Sequence, residues 1–204
     1  TCVIYWRHVT EKEALAEKRI ELQEEYKEFH LQLNTDLTMM QMETIDTMLM
    51  NVSEVYPDFI WMSQFEFTVG QWRAINNEPC DEKLKNIPMT NVSYGDIYYF
   101  LGKVGDMTNL TIELPSVVVW EYAAHGGSNN EKFLYVGDDD VDKVAWYKEN
   151  SGGKVHPSDG QQDKEPNLLD IYDMSGNVSE LCNTPVDDSG LYIICGGDYN
   201  SPAS

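Results

Sequence analysis

The sequence predicts an α+β fold: an irregular, loop-rich domain preceded by a long N-terminal helix. Three observations carry that expectation. Residues 10–33, TEKEALAEKRIELQEEYKEFHLQL, are dense in Glu, Lys, Leu and Ala and contain neither Gly nor Pro, a composition that favours helix. Beyond residue 52 short apolar runs alternate with clusters of Asn, Asp, Gly and Pro, the pattern of short strands joined by turns. Within that second part only residues 69–75 and 93–104 read as regular helices.

The chain has 204 residues, enough for one domain with a sizeable core plus an appendage. It carries 14 Lys and Arg against 35 Asp and Glu, a net charge of −21. Self-repulsion of that size opposes binding to nucleic acid or to anionic membrane surfaces, while carboxylates are the oxygen ligands that calcium needs. No apolar run approaches the roughly 18 residues of a membrane-spanning helix. Cys2, Cys80, Cys182 and Cys195 are far apart and form no zinc-type cluster. Their spacing leaves open whether they pair in an oxidising compartment or stay as free thiols.

Taking the elements in order, Thr10 followed by Glu13 fits a capping box at the start of the first helix. Leu15, Leu22, Tyr26, Phe29, Leu33, Leu37 and Met40 make one apolar stripe along it. A stripe of this kind docks on the following domain or on a protein partner, including a second copy of the chain. Five of the nine methionines fall between Met39 and Met50, as adaptable core filler. The Tyr56-Pro57-Asp58 break places the division near residue 52, giving an amphipathic extension over 1–52 and the main domain over 53–204. In the second predicted helix Ile97, Phe100, Leu101 and Val104 share a face. The segment WEYAAHGG (120–127) reads as a short helix whose Trp120 and Tyr122 bury their rings and whose Gly126 and Gly127 end it.

Six segments in the same order resemble the formylglycine-generating enzyme family, also called the sulfatase-modifying factor family. They are FEFTVGQW (65–72), PMTNVSYGDIYYF (88–100), ELPSVVVWEYAAHGG (113–127), VAWYKENSGGKVHP (144–157), PNLLDIYDMSGNVSELC (166–182) and CGGDYN (195–200). The third is similar to the family signature Arg-Leu-Pro-Thr-Glu-Ala-Glu-Trp-Glu-Tyr-Ala-Ala-Arg-Gly-Gly. The resemblance covers roughly residues 58–204 and implies a variant of the C-type-lectin-like fold. It also implies an oxidase that converts a protein cysteine to formylglycine on copper(I) held by two cysteines.

The residues at the matching positions depart from that chemistry. Ser201 stands where the first copper cysteine is expected, and the second position falls beyond Ser204. Copper(I) selects thiolates, so copper is not expected here. Glu113, Val117, Val119 and Cys195 replace charged residues of the family pattern, and Ser179 and Leu181 replace two tryptophans. No His-x-x-x-His, Gly-x-Ser-x-Gly or phosphate-cradling motif supplies another active site. Ser179, near Glu180 and Cys182, has no base assigned to it.

Calcium fits better. The resemblance implies an ion site in DMSGNVSE (173–180), from the side chain of Asp173, the backbone carbonyls of Gly176 and Val178, and the carboxylate of Glu180. A hard cation takes such a mixture of carboxylate and carbonyl oxygens; the alternative is a plain turn with both acids solvated. The acidic run GDDDVDK (137–143) reads as a solvated loop. Asn51, Asn91, Asn109 and Asn177 each open an Asn-x-Ser/Thr triplet.

The sequence therefore points to a non-catalytic scaffold or binding protein, at the bacterial cell envelope or secreted. Family members of that kind include lipoproteins of gliding and type IX secretion machinery and displayed ligand-binding proteins. The stripe at Leu15, Leu22, Tyr26, Phe29 and Leu33 is the candidate partner-binding element. The alternatives are a formylglycine-generating oxidase whose metal ligands lie outside this chain, and a structural subunit assembled through residues 10–40.

Overall fold

The computed structural model describes residues 5–7, 39–50, 52–56, 60–129, 132–159 and 163–203. The expected N-terminal helix and its stripe at Leu15, Leu22, Tyr26, Phe29, Leu33 and Leu37 lie outside the described residues. What is described is an irregular mixture of short helices and short strands, as the sequence predicts. Its main sheet has the order β2-β3-β1-β4. Here β1 is Tyr5–Arg7, β2 is Val52–Tyr56, β3 is Ile60–Ser63 and β4 is Thr111–Glu113. All three pairings are antiparallel, with Trp6 opposite Trp61 on one side and Ile112 on the other.

Helix α1, Met39–Met50, lies between β1 and β2 in the chain, on the N-terminal side of the expected division near residue 52. It contributes buried Ile45 and Met48 to the first core, and Gln41 ties it to the next helix by donating Nε2–H to the Ile75 carbonyl at 2.9 Å. That helix, α2 (Val69–Ile75), starts at a reciprocal capping box. Thr68 Oγ1 accepts from Gln71 N, and Gln71 Oε1 accepts from Thr68 N, which satisfies two otherwise orphaned amide donors. Gly70 is required there by close approach, because a Cβ would lie 2.6 Å from the Lys85 carbonyl oxygen.

Helix α3, Tyr94–Thr108, repeats the device with Ser93 and Asp96 and ends on Asn109 in the left-handed conformation. Its Ile97, Phe100, Leu101 and Val104 are all buried, the face that their spacing predicts. Phe100 is the centre of the first core: Trp72 stacks on it at 4.3 Å and Phe67 meets it edge-on at 4.9 Å. Helix α4, Val117–Ala124, carries the second core through Trp120, Ala123 and Ala124, with Met62, Ile171, Met174 and Cys182. Alternation along β3 separates the two cores, since Trp61 packs against the first and Met62 against the second. A one-turn helix α5, Val141–Val144, and a two-stranded sheet of β5 (Glu180–Pro185) and β6 (Tyr192–Cys195) complete the fold. Among the described residues no helix is long and apolar enough to cross a membrane.

Candidate functional site

Residues 173–180 form a tight, buried loop. Asp173, Gly176 and Asn177 all have positive φ, at 60°, 89° and 51°. Asn and Asp tolerate this region better than other side chains, and glycine enters it freely. Gly176 is also fixed by contact, because a Cβ there would collide with the carbonyl oxygen of Trp146. Gly176 N donates to the Gly196 carbonyl at 2.8 Å and Asn177 N to the Trp146 carbonyl at 2.7 Å. The loop is thus pinned between the start of β5, the Gly196 turn and the Trp146 segment.

Asn177 organises the interior. Its Nδ2 donates to Glu66 Oε2 at 2.6 Å and to the His156 carbonyl at 3.1 Å, and its Oδ1 accepts from His156 N at 2.9 Å. Val178 N donates to the other oxygen of Glu66, at 3.1 Å. Ser158 Oγ donates to Asp173 Oδ2 at 3.1 Å and accepts from Glu66 N at 3.2 Å. Glu180 accepts the indole N–H of Trp120 on Oε2, while its Oε1 is buried with no hydrogen-bond partner among the described residues.

Three carboxylates, Glu66, Asp173 and Glu180, are therefore buried close together, each no more than 2% exposed. Burial raises Glu66 well above the ordinary carboxylate range, and the charges of Asp173 and Glu180 raise it further. Burial likewise pushes Glu180 up to about 8, with the Trp120 hydrogen bond opposing the rise. Glu66 and Glu180 are therefore reluctant to ionise unless a cation stands beside them.

Of the residues named for an ion, Asp173, Gly176, Val178 and Glu180 are all buried in this loop, so the reading of solvated acids on a plain turn does not hold. Among the described residues no group of three or more His, Cys, Asp or Glu side chains is arranged to hold a metal ion. An ion here would draw on two carboxylates and on backbone oxygens. The unpartnered Oε1 of Glu180 and the buried acidity fit a cation of the calcium type in chemistry.

Glu66 is the component that motif reasoning missed. The donors to its carboxylate lie more than a hundred residues away, and the signal within reach was an acid flanked by two aromatic residues, Phe65 and Phe67. Asn177, read as the start of a glycosylation triplet, is fully buried with its amide engaged, so that triplet is not an acceptor in this fold. The run at 137–143 closes on itself: Asp140 caps α5, Lys143 pairs with Asp138 at 2.9 Å, and Asp139 accepts from Leu134 N.

Ser201 sits in a turn built with Asp198. Its Oγ donates to Asp198 Oδ1 and accepts from Asp198 N, both at 3.0 Å, and its carbonyl accepts from Lys148 N. Cys80, Cys182 and Cys195 are free thiols. The last two face each other across β5 and β6, and burial pushes both thiols up.

Comparison with known proteins agrees with this architecture. A search of curated proteins finds the chaperone protein LppX of Paenibacillus barcinonensis, 42% identical over a match that covers 34% of this chain and 30% of that protein. The match thus spans under a third of the relative's length. Among solved structures, variable protein 1 of Treponema denticola superposes with a TM-score of 0.57 at 20% identity, over 75% of this chain and 81% of its own. PvdO from Pseudomonas aeruginosa superposes with a TM-score of 0.56 at 20% identity, over 72% and 71%. At these identities the two structures bear on fold alone. The model of the sulfatase-modifying factor enzyme 1-like domain matches residues 17–204, and the chain belongs to that family.

Proposed function

We propose that this protein is a non-catalytic member of its family, a scaffold or binding protein working at the bacterial cell envelope or outside the cell. The observation that carries the reading is Ser201. At the position where the family resemblance expects a copper-holding cysteine, a hydroxyl is committed to the carboxylate and amide of Asp198. A hydroxyl so engaged is a poor ligand for copper(I).

Binding is supported from two sides. The curated relative from Paenibacillus barcinonensis carries the name of a chaperone protein, a class that acts by holding other chains. On the surface, Tyr98, 72% exposed, continues a row in which Tyr94 stacks on Tyr192 at 3.8 Å and lies 6.5 Å from Tyr98. Tyrosines of this kind give large rigid contact area with a polar edge, the composition of protein-binding surfaces. The N-terminal stripe at Leu15, Leu22, Tyr26, Phe29 and Leu33 belongs to the same proposal as a second contact element.

Calcium is part of the reading as a structural ion. Asp173 and Glu180 would supply side-chain oxygens and Gly176 and Val178 carbonyls, neutralising a loop whose acids are otherwise buried against one another.

The deciding experiment incubates the purified protein, loaded with copper(I), with a cysteine-containing sulfatase peptide, and follows formylglycine by mass spectrometry. No turnover is expected. Copper-dependent turnover above that of a copper-free control would overturn the proposal.

A further inference from the structure

The ladder of β5 and β6 places two thiols together. In an antiparallel pair, directly opposed residues share a face, as do residues two apart on one strand. Cys195 is opposite Glu180, and Cys182 lies two residues along from Glu180. Both thiols therefore emerge on one side of the hairpin, into the second core beside Trp120 and Met174. Their sulfurs are 3.8 Å apart. A disulfide is about 2.0 Å long, so the sulfurs need to approach by just under ~2 Å. Two features allow that approach: the pairing slips between Leu181 and Pro185, and Cys195 ends β6 immediately before Gly196 and Gly197, at φ 84° and 71°.

We propose that Cys182 and Cys195 are a redox pair that closes to a disulfide stapling β5 to β6 when the protein meets a small-molecule disulfide such as oxidised glutathione. Cys182 is fully buried and Cys195 partly exposed, so Cys195 is the more accessible of the two. The Cys195 thiol loses its proton to solvent and attacks glutathione disulfide. Its S–S bond breaks, one glutathione leaves as thiol, and Cys195 carries the other as a mixed disulfide. Cys182 then loses its proton and attacks the Cys195 sulfur, displacing the second glutathione. Two protein thiols are oxidised to one disulfide, and one glutathione disulfide is reduced to two thiols.

The staple would fix the hairpin that presents Val186, Leu191 and Ile194, each more than half exposed. It would also hold the strand that begins at Glu180. The proposal does not depend on the protein lacking oxidase activity.

The test uses the full chain, reduced, desalted and incubated with excess oxidised glutathione until its thiol content is constant. Remaining thiols are alkylated in denaturant, and the chain is cut before aspartate, where Asp187 and Asp188 separate the two cysteines. The expected result is a crosslinked pair of peptides carrying Cys182 and Cys195, with a melting temperature that rises on oxidation. Both effects should be absent in Cys195→Ser, where Cys182 is recovered alkylated. Recovery of both cysteines alkylated in the wild type, a stable glutathione adduct on Cys195 with Cys182 alkylated, or crosslinks to Cys80 instead would overturn the proposal.

Discussion

Replacing Glu180 by Gln tests the electrostatics of the buried loop directly. The native carboxyl is pushed from an ordinary 4.5 up to about 8 by burial. Between these two values the folded protein keeps a proton on Glu180 that the unfolded chain releases, so the native state binds more protons and stability falls as pH rises. The contribution is complete below pH 4.5 and lost as pH passes through about 8. At about 1.4 kcal/mol per pH unit of difference, the loss across this window is at most about 5 kcal/mol. Glu66, also raised by burial, adds to it with the same sign. The Glu180→Gln side chain would keep an oxygen for the Trp120 indole N–H while removing the titration. The assay is urea denaturation in a calcium chelator at pH 5, 6.5 and 8. Surface repulsion in a chain of net charge −21 also lowers stability as pH rises, so the readout is the difference between the two proteins. Wild type should lose several kcal/mol more than Glu180→Gln over the series. Equal pH dependence in both, or a wild type that loses less, would refute the argument.

In the calcium proposal, ligand binding needs the deprotonated acid, so added calcium should raise the wild-type melting temperature more at pH 8 than at pH 5, and Glu180→Ala should abolish the gain in a thermal melt. Gly176→Ala puts a Cβ onto the Trp146 carbonyl at φ 89°; backbone strain alone costs about 1–3 kcal/mol, and a chemical melt should show at least that loss. Asn177→Ala leaves Glu66 Oε2 and the backbone of His156 without their partner; at about 1–3 kcal/mol for each unsatisfied buried group, denaturation should show a loss of more than about 3 kcal/mol. Phe100→Ala opens the centre of the first core and should cost about 3–5 kcal/mol by the same measurement.

What could be read from the sequence was whatever rests on local periodicity or on spacing within one segment. The face of α3 follows from residues three and four apart, and its capping from Ser93 and Asp96, which lie within one turn. The interior of the site does not work that way. Glu66 meets Asn177 and Val178 across most of the chain, and no local pattern reports a partner that distant. Cys182 and Cys195 are nearer in sequence, but whether their sulfurs meet depends on the register of β5 against β6, including its slip.

The buried acids also show why the loop calls for something besides the side chains around it. Among the described residues, the ion pairs Arg73–Glu78 and Lys143–Asp138 lie toward the surface. The hydrogen bonds that reach Glu66 and Glu180 come from an amide side chain, a backbone N–H and an indole, all neutral. Neutral donors orient a carboxylate but do not cancel its charge. With burial acting on both acids and their charges opposing each other, the loop reaches a stable state by taking up protons or by taking up a cation. These two outcomes respond to pH in opposite directions, and the urea series in chelator set beside the calcium melts at pH 5 and pH 8 separates them.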